Sequence, residues 1–514
     1  MVLSRMLSVA AVAGVALAGD TCDVEGSARQ DCGVLGTTQS DCEAKGCCWR
    51  PADGAAWCFY PQGGPAPPPP PRSECKLAYK SDGQPFTDDE EAKVRSFFLA
   101  NIDIQGSGAV VAAPDHNTGP GGDYHFHWER DGALSTHALL ATADKLTDVD
   151  EHLQHYVQWV LKVQNQDDPH GIDVRAEPKY TIPDGKPFTG AWCRPQTDGP
   201  GLRAKTLSEY GLALLEAGKA DFVKQNLWTG SDDKHGGAVK YDLEWLASNW
   251  QQSGCDLWEE IQSEDFFWGR YTMRASLEIG AQFAEKMGDK DAAGRYRGVK
   301  ADIEKTLMGH FDGTFVFESQ NRKKDSAVIE AFNVGDLNDG MFNVLGKEVL
   351  GTVITLNDLF CNAYEINQKD GAAGIPGILY GRYENDNYDG GNPWVLLSAS
   401  LATLLYRQSA AALSVGSIDP ATYSLLQKAT HIEDGLSGKD LAEALLGAGD
   451  GVMLRIKHHV QATDLHMAEQ IKRDDGSMSS AKDLTWNYAN MLKAFKARKA
   501  SAKAIAAVSK VMVV

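Results

Sequence analysis

Outside its first eighteen positions, the 514-residue chain has no apolar run near the ~20 residues that a membrane-spanning helix needs. The terminal Val511-Met512-Val513-Val514 is too short for one. Basic charge is also scarce: 50 Lys and Arg face 70 Asp and Glu, a net of −20. Nucleic acid and anionic membranes are poor partners for such a chain, whereas a neutral polymer such as a polysaccharide is compatible with it. No Asn-x-Ser/Thr triplet occurs, so N-glycosylation is not expected. Alternation of apolar and polar residues is rare, which argues against a sheet architecture. Cysteine is thin beyond residue 58, with Cys75, Cys193, Cys255 and Cys361 spread over the rest of the chain.

What is present suits one large domain with an appendage, 43% of the residues being hydrophobic. Residues 1–18 read as a secretory signal, with Arg5, an apolar stretch and an Ala16-Leu17-Ala18 cleavage site. The mature protein is therefore expected to be secreted and extracellular, and a monomer without a membrane partner. Six cysteines crowd together at Cys22, Cys32, Cys42, Cys47, Cys48 and Cys58. In so short a secreted segment they are expected to be disulfide staples, and spacing alone leaves their pairing open. Residues 61–74, with the run Pro67 to Pro71, form a semi-rigid proline-rich linker.

From residue 75 onward the pattern is helical. Apolar residues recur at three- and four-residue spacing over 88–99, 138–146, 149–163, 203–215, 239–251, 271–286 and 291–307. They do so again over 395–406, 438–446, 451–462 and 484–496. An all-α domain over 75–500 is predicted, followed by a tail at 501–514; the basic stretch from Lys493 to Lys510 reads as a helix or a frayed tail. Five segments between helices concentrate Trp, Tyr, Arg, Asp, Glu and Gly: 121–132, 190–203, 254–260, 381–394 and 464–486. Tyr124, Trp192, Asp256, Arg382 and Glu469 mark them, at gaps of 68, 64, 126 and 87 residues. That rhythm predicts helical hairpins in a ring with their loops at one end, an (α/α)6 toroid. The missing beat falls near Phe311-Asp312-Gly313.

Asp256-Leu257-Trp258-Glu259-Glu260 is the most informative stretch. A carboxyl beside a large apolar ring has its pKa raised by exclusion of water. A carboxylic acid that keeps its proton near neutrality is what cleavage of a glycosidic bond requires. Asp256, three residues before Glu259, is expected to share a helical face with it, their Cβ atoms ~5–6 Å apart. There it would tune the acid, and it competes for the role of base.

The early cysteines, with Arg29, Cys32-Gly33, Gly46-Cys47-Cys48-Trp49 and Trp57-Cys58-Phe59, resemble a trefoil (P-type) domain over 19–60. The resemblance implies pairing of Cys22 with Cys48, Cys32 with Cys47 and Cys42 with Cys58. It also implies carbohydrate contact through Trp49, Trp57 and Phe59, which equally suit the domain's small core. The segment 253–263 resembles the signature of the glucoamylase family of glycoside hydrolases. Four more segments are similar to that family's in order and spacing: Tyr124 with Trp128-Glu129-Arg130-Asp131, Trp192-Cys193-Arg194-Pro195-Gln196, Gly381-Arg382-Tyr383 with Asn392-Pro393-Trp394, and Glu469-Gln470 with Trp486-Asn487-Tyr488.

The family is an inverting exo-hydrolase on an (α/α)6 barrel that removes β-glucose from non-reducing ends of starch, glycogen and maltooligosaccharides. The resemblance implies Glu259 as general acid and Glu469 as general base, with Asp256 beside the acid. Inversion needs two carboxyls ~6.5–9.5 Å apart, which separate loops supply best. Arg130 and Asp131 would grip the terminal glucose. Tyr124, Trp128 and Trp192 would give it apolar faces. Trp258 and Glu260 would reach the next glucose, and Arg382 would complete the rim, whereas Trp394 reads as packing. His125 and His127 replace the family's commoner residues, but no third ligand makes them a metal site. No metal or cofactor is called for; the partner is the α-glucan itself. The pairing of Cys75, Cys193, Cys255 and Cys361 is open. With no starch-binding module after the catalytic domain, raw granules are expected to be poor substrates unless the trefoil domain compensates. The alternatives are an inverting toroid glycosidase on another glucoside, such as trehalose or glucodextran, and a glycan-binding protein whose toroid is inactive.

Overall fold

The structure is a computed structural model that describes residues 22–26, 29, 32, 38–44, 46–52, 55–61, 75–118, 122–415 and 418–511. The signal expectation and all of the linker but Pro61 lie outside the described residues. The chain divides into two compact units at residues 72 and 73.

Among the described residues, the first unit has one short helix, α1 (Gln39–Ala44), and one antiparallel pair, β1 (Cys48–Trp49) with β2 (Cys58–Phe59). So small a body cannot bury enough apolar surface to hold itself together. Three disulfides do it instead, joining Cys22 to Cys48, Cys32 to Cys47 and Cys42 to Cys58. The Arg29 guanidinium lies 4.3 Å from the centroid of the buried Phe59 ring.

The second unit begins with α2 (Asp88–Ala100), opened by a capping box in which Thr87 and Glu90 satisfy each other's backbone N–H. Then come β3 (Phe126–Trp128), α3 (Glu129–Thr142), α4 (Asp150–Gln164), β4 (Lys179–Thr181), α5 (Asp198–Glu216), α6 (Ala220–Asn226) and α7 (Ala238–Asn249). The hairpin β5 (Gly254–Cys255) and β6 (Gln262–Ser263) precedes α8 (Phe267–Lys286), α9 (Lys290–Leu307), α10 (Ala327–Val334), α11 (Lys347–Ala363) and α12 (Glu365–Ala372). The remainder is α13 (Val395–Ser414), α14 (Pro420–Thr430), α15 (Gly438–Val460), β7 (Gln470–Ile471), β8 (Met478–Ser479) and α16 (Thr485–Val511).

Packing closes these helices into a ring. α3 packs on α5, α5 on α8, α8 on α10, α10 on α13, α13 on α16, and α16 returns to α3. Outside them lie α2, α4, α7, α9, α11 and α15, so inner and outer helices alternate along the chain in an (α/α)6 toroid. The burial patterns explain the layering. α13 is apolar or small on nearly every side and is buried all round, whereas α9 buries only a stripe, Ala292, Ala293, Tyr296, Ile303 and Leu307.

Three sequence expectations are corrected. Five helices were not legible as periodic stretches: α6, α10, α11, α12 and α14. The separate stretches 438–446 and 451–462 are one helix, α15, because Gly447, Gly449 and Gly451 are helical; a Cβ on Gly449 would sit 2.5 Å from the Tyr406 ring. The expected tail at 501–514 is largely the end of α16, with Ser501 fully buried and bonded to Ser409.

The ring encloses a polar hub. Glu330 of α10 accepts hydrogen bonds from Ser400 of α13 and from Trp486 and Asn490 of α16. Glu330→Ala would leave those buried donors unpaired and is expected to cost ~3–5 kcal/mol, read as a lower urea midpoint at unchanged slope.

Candidate active site

Every inner helix is preceded by a segment that ends at the same mouth of the ring. β3 leads into α3, the Trp192–Thr197 loop into α5, the β5–β6 hairpin into α8, residues 318–326 into α10, residues 381–394 into α13 and the β7–β8 hairpin into α16. Six helix N-termini therefore face one opening, and their partial positive charge suits a site rich in carboxylates. A cavity of about 250 Å³ lies there, lined by Tyr124, Trp128, Arg130, Asp131, Trp192, Trp258, Glu259, Glu260, Arg382 and Glu469. Asp256 is the one sequence-derived site residue that does not line it.

Asp256 and Glu259 do not share a helical face. They sit in the tight turn between β5 and β6, where Glu259 takes a left-handed backbone with φ +66°. That conformation is unusual for a residue with a Cβ. Asp256 maintains the turn: its carboxylate accepts from the backbone N–H of Trp258 at 3.2 Å, Glu260 at 2.7 Å and Ile261 at 2.8 Å, and from the Arg322 guanidinium. The turn sends Glu259 into the cavity and keeps Asp256 in the wall behind it.

The surroundings of Glu259 are not the apolar ring that its neighbour Trp258 suggests. The Trp258 indole N–H instead reaches Asp325, at 2.9 Å and 3.1 Å. Glu259 meets donors: Arg130 Nη2 at 3.1 Å and Gln196 Nε2 at 2.7 Å on Oε1, and Trp192 Nε1 at 2.8 Å on Oε2. Arg130 also donates to Gln196 and Asp198, at 2.9 Å and 3.2 Å. Beside it, burial pushes Asp131 up to about 7, with Arg130 pulling the other way.

Glu469, just before β7, is 2% exposed. Tyr124 donates to its Oε1 at 2.9 Å, and Ser480 and Gln470 to its Oε2 at 2.7 Å and 3.1 Å. Burial raises its pKa above the usual carboxylate value, while those donors and Arg382 hold the rise in check. At the rim, Arg382 grips Asp386 with two bonds, at 2.9 Å and 2.6 Å, and lies 2.9 Å from Glu260. Glu260 also accepts from Arg322 at 2.7 Å and from the Tyr383 hydroxyl.

The sequence reading assigned no cavity contact to several lining groups: Tyr388, bonded to Tyr124 at 3.0 Å, as well as Leu257, Leu484 and Trp486. Trp394, read as packing, does pack edge-to-face on Trp258 at 5.7 Å, but it also lines the cavity. The sixth segment acts through Arg322 and Asp325, about ten residues beyond the Phe311-Asp312-Gly313 beat. Arg322 stacks 3.7 Å over Tyr383, a contact that sequence spacing does not reveal. His125 lies just before β3, and its ring has separate surroundings from that of His127: His125 stacks on His116, while His127 is fully buried with Nδ1 against Val110. They do not converge on an ion.

A larger cleft, about 620 Å³ and more open, adjoins Tyr383 and Asp386. Its carboxylates are committed elsewhere or face solvent: Glu384 pairs with Lys324, Asp386 with Arg382, and Asp358 is exposed. The smaller cavity is therefore the candidate site. The open cysteine question is answered beside it. Cys193 pairs with Cys255, tying the Trp192 loop to the Glu259 hairpin, and Cys75 pairs with Cys361.

Two carboxylates brought from separate loops into one cavity of a helical toroid are the arrangement that inverting glycoside hydrolysis requires. The model of the family described as Glycosyl hydrolases family 15 matches residues 93–496, and that of the Trefoil (P-type) domain matches residues 22–61. A glucoamylase of Blastobotrys adeninivorans is 32% identical over 454 residues, covering 81% of this chain and 71% of its own. The solved glucoamylase of Hypocrea jecorina is similar at a TM-score of 0.70 and 26% identity, covering 80% of this chain and 72% of that one. That of Saccharomycopsis fibuligera has a TM-score of 0.70 at 24% identity, covering 82% and 97%. The chain belongs to glycosyl hydrolases family 15, carries a trefoil domain, and is a glycoside hydrolase of the glucoamylase kind.

The Cys193–Cys255 bond closes a separation of 62 residues. Replacing both cysteines with serine is expected to remove ~4 kcal/mol of stability on the loop-entropy account. It should also lower turnover, because the Trp192–Glu259 contact loses its tie. Calorimetry and glucose-release kinetics check the two effects separately.

Proposed function

We propose that the protein is a secreted, inverting exo-glucosidase that releases β-D-glucose from the non-reducing ends of starch, glycogen and maltooligosaccharides, acting on α-1,4 bonds faster than α-1,6. The observation that carries this reading is that Glu259 and Glu469 line one cavity from separate hairpins. Arg130 and Asp131 line the same cavity and are buried.

In this reading the terminal glucose enters first, and its hydroxyls bind Arg130 and Asp131 by charge-assisted hydrogen bonds. Trp128, Trp192 and Tyr124 cover its C–H faces and exclude water. Glu259 gives its proton to the glycosidic oxygen as the bond from C1 to that oxygen breaks. Glu469, ionised, takes a proton from a water that attacks C1 from the opposite face, so the α-linkage yields a β-anomer. Glu260 and Arg382 bind the second glucose. A pocket that takes the chain end accounts for exo action. The five disulfides among the described residues support an oxidising, extracellular compartment. Trp57, half exposed and edge-on to Trp49 at 6.0 Å, supports glycan contact by the trefoil domain.

The direct test is Glu259→Gln, which keeps the shape and removes the proton. Its kcat on maltotriose is expected to fall ~10²–10⁴-fold, and an unchanged rate would refute the assignment. The acid side of the profile tests Glu469. A base must be ionised, so activity falls as pH drops through its raised pKa. Ser480 stabilises the ionised form; Ser480→Ala removes that bond, raises the pKa further and is expected to move the acidic limb of kcat/KM up by roughly one pH unit.

A further inference from the structure

Lys179, on β4 opposite Trp128, is 2% exposed. Its Nζ lies 3.7 Å from the centroid of the Trp192 ring, 4.1 Å from Phe188, 4.3 Å from Trp128 and 4.6 Å from Phe126. Four ring centroids within 5 Å of one ammonium form an aromatic box, and cation–π attraction is strongest where water is excluded. Among the described residues, no oxygen acceptor is bonded to that Nζ. Two walls of the box, Trp128 and Trp192, are also walls of the catalytic cavity, which Lys179 itself does not line. Trp192 thus has the cation on its face and Glu259 at its N–H edge, 2.8 Å away. A cation over an indole withdraws electron density from the ring and strengthens its N–H as a donor.

We propose that Lys179 is a positioning residue for the acid carboxyl: its charge, held behind the Trp128–Trp192 wall, fixes those rings and acts on Glu259 through the Trp192 N–H. This inference rests on the reading of Glu259 as general acid. The charges around Lys179 are Glu259, Asp123, Arg194 and Glu177. Glu177 is paired with Arg194, and Asp123 is bonded to His116 and the His125 amide. Glu259 is thus the carboxylate of the set that belongs to the chemistry. Burial pushes the Lys179 ammonium down to about 8, with Glu259 the largest opposing attraction, so Lys179 is charged at neutral pH and loses its proton as pH rises through 8.

The test compares the wild type with Lys179→Met, Lys179→Gln and Lys179→Arg on maltotriose across pH. The basic limb of kcat/KM reports the acid in the free enzyme, and a nearby cation draws that limb downward. In Lys179→Met and Lys179→Gln the limb is expected to move up by roughly 0.5–1 pH unit, with kcat at the optimum falling about tenfold and KM nearly unchanged. Lys179→Arg should keep the wild-type limb. A limb that stays in place in an active Met or Gln variant would overturn the proposal, as would an Arg variant displaced as far as the Met variant. A second readout needs no uncharged variant to fold. Wild-type tryptophan absorbance should show a step centred near pH 8 as the cation over Trp192 is lost, and Lys179→Arg should abolish it. A flat wild-type titration would contradict the proposal. A wild type that releases no glucose yet shows the step would refute the acid assignment and leave the box intact.

Discussion

Ring closure is the constraint on which the rest depends. Once α16 packs back on α3, all six inner helices point their N-termini at one opening, and whatever precedes them is gathered there. Acidic groups benefit from that arrangement, because the helix ends supply partial positive charge at no cost in added side chains. The site then concentrates Asp131, Asp198, Glu259, Glu260, Asp386 and Glu469, with Arg130, Arg322 and Arg382 set among them. Buried carboxylates in such number repel one another and lose solvation unless each has a partner. Here each arginine serves two or more acceptors: Arg130 joins Asp198 to Glu259, Arg322 joins Asp256 to Glu260, and Arg382 joins Asp386 to Glu260.

That network divides the carboxylates by role. Glu260 and Asp386 are held by arginines at the rim. Asp256 is consumed by three backbone N–H groups and Arg322, which makes it the frame of the turn. Glu469 is held by neutral donors, two hydroxyls and an amide, and its burial raises its pKa. Glu259 stands on a left-handed turn that the Cys193–Cys255 bond ties to the Trp192 loop. The strain at φ +66° is thus offset by a covalent link and by the Asp256 cage.

Much of this was legible in the amino-acid order, for physical reasons. Helices with a one-sided apolar stripe, such as α4 and α9, announce themselves by spacing. Helices α10 and α12 are only eight residues long and carry too few repeats to show a period. The site segments stood out because Trp, Arg and Asp rarely crowd between helices without a task. Local rules failed at Asp256 and Glu259. Three-residue spacing suggests a helical face, but the backbone bonds made by Asp256 turn the chain instead. Long-range contacts, such as Arg322 on Glu260 and the pairing of Cys193 with Cys255, have no signature in spacing. Lys179 passed unnoticed because its four rings come from β3, two helices earlier in the chain, and from the loop that follows β4.

The central claim is that two carboxylates from separate loops act on opposite faces of one glucose. The most direct measurement is proton NMR of the anomeric region during the first minutes of maltooligosaccharide hydrolysis, before mutarotation equalises the forms. The account predicts β-glucose as the first product, with α-glucose growing in later. Glucose released first as the α-anomer would contradict it.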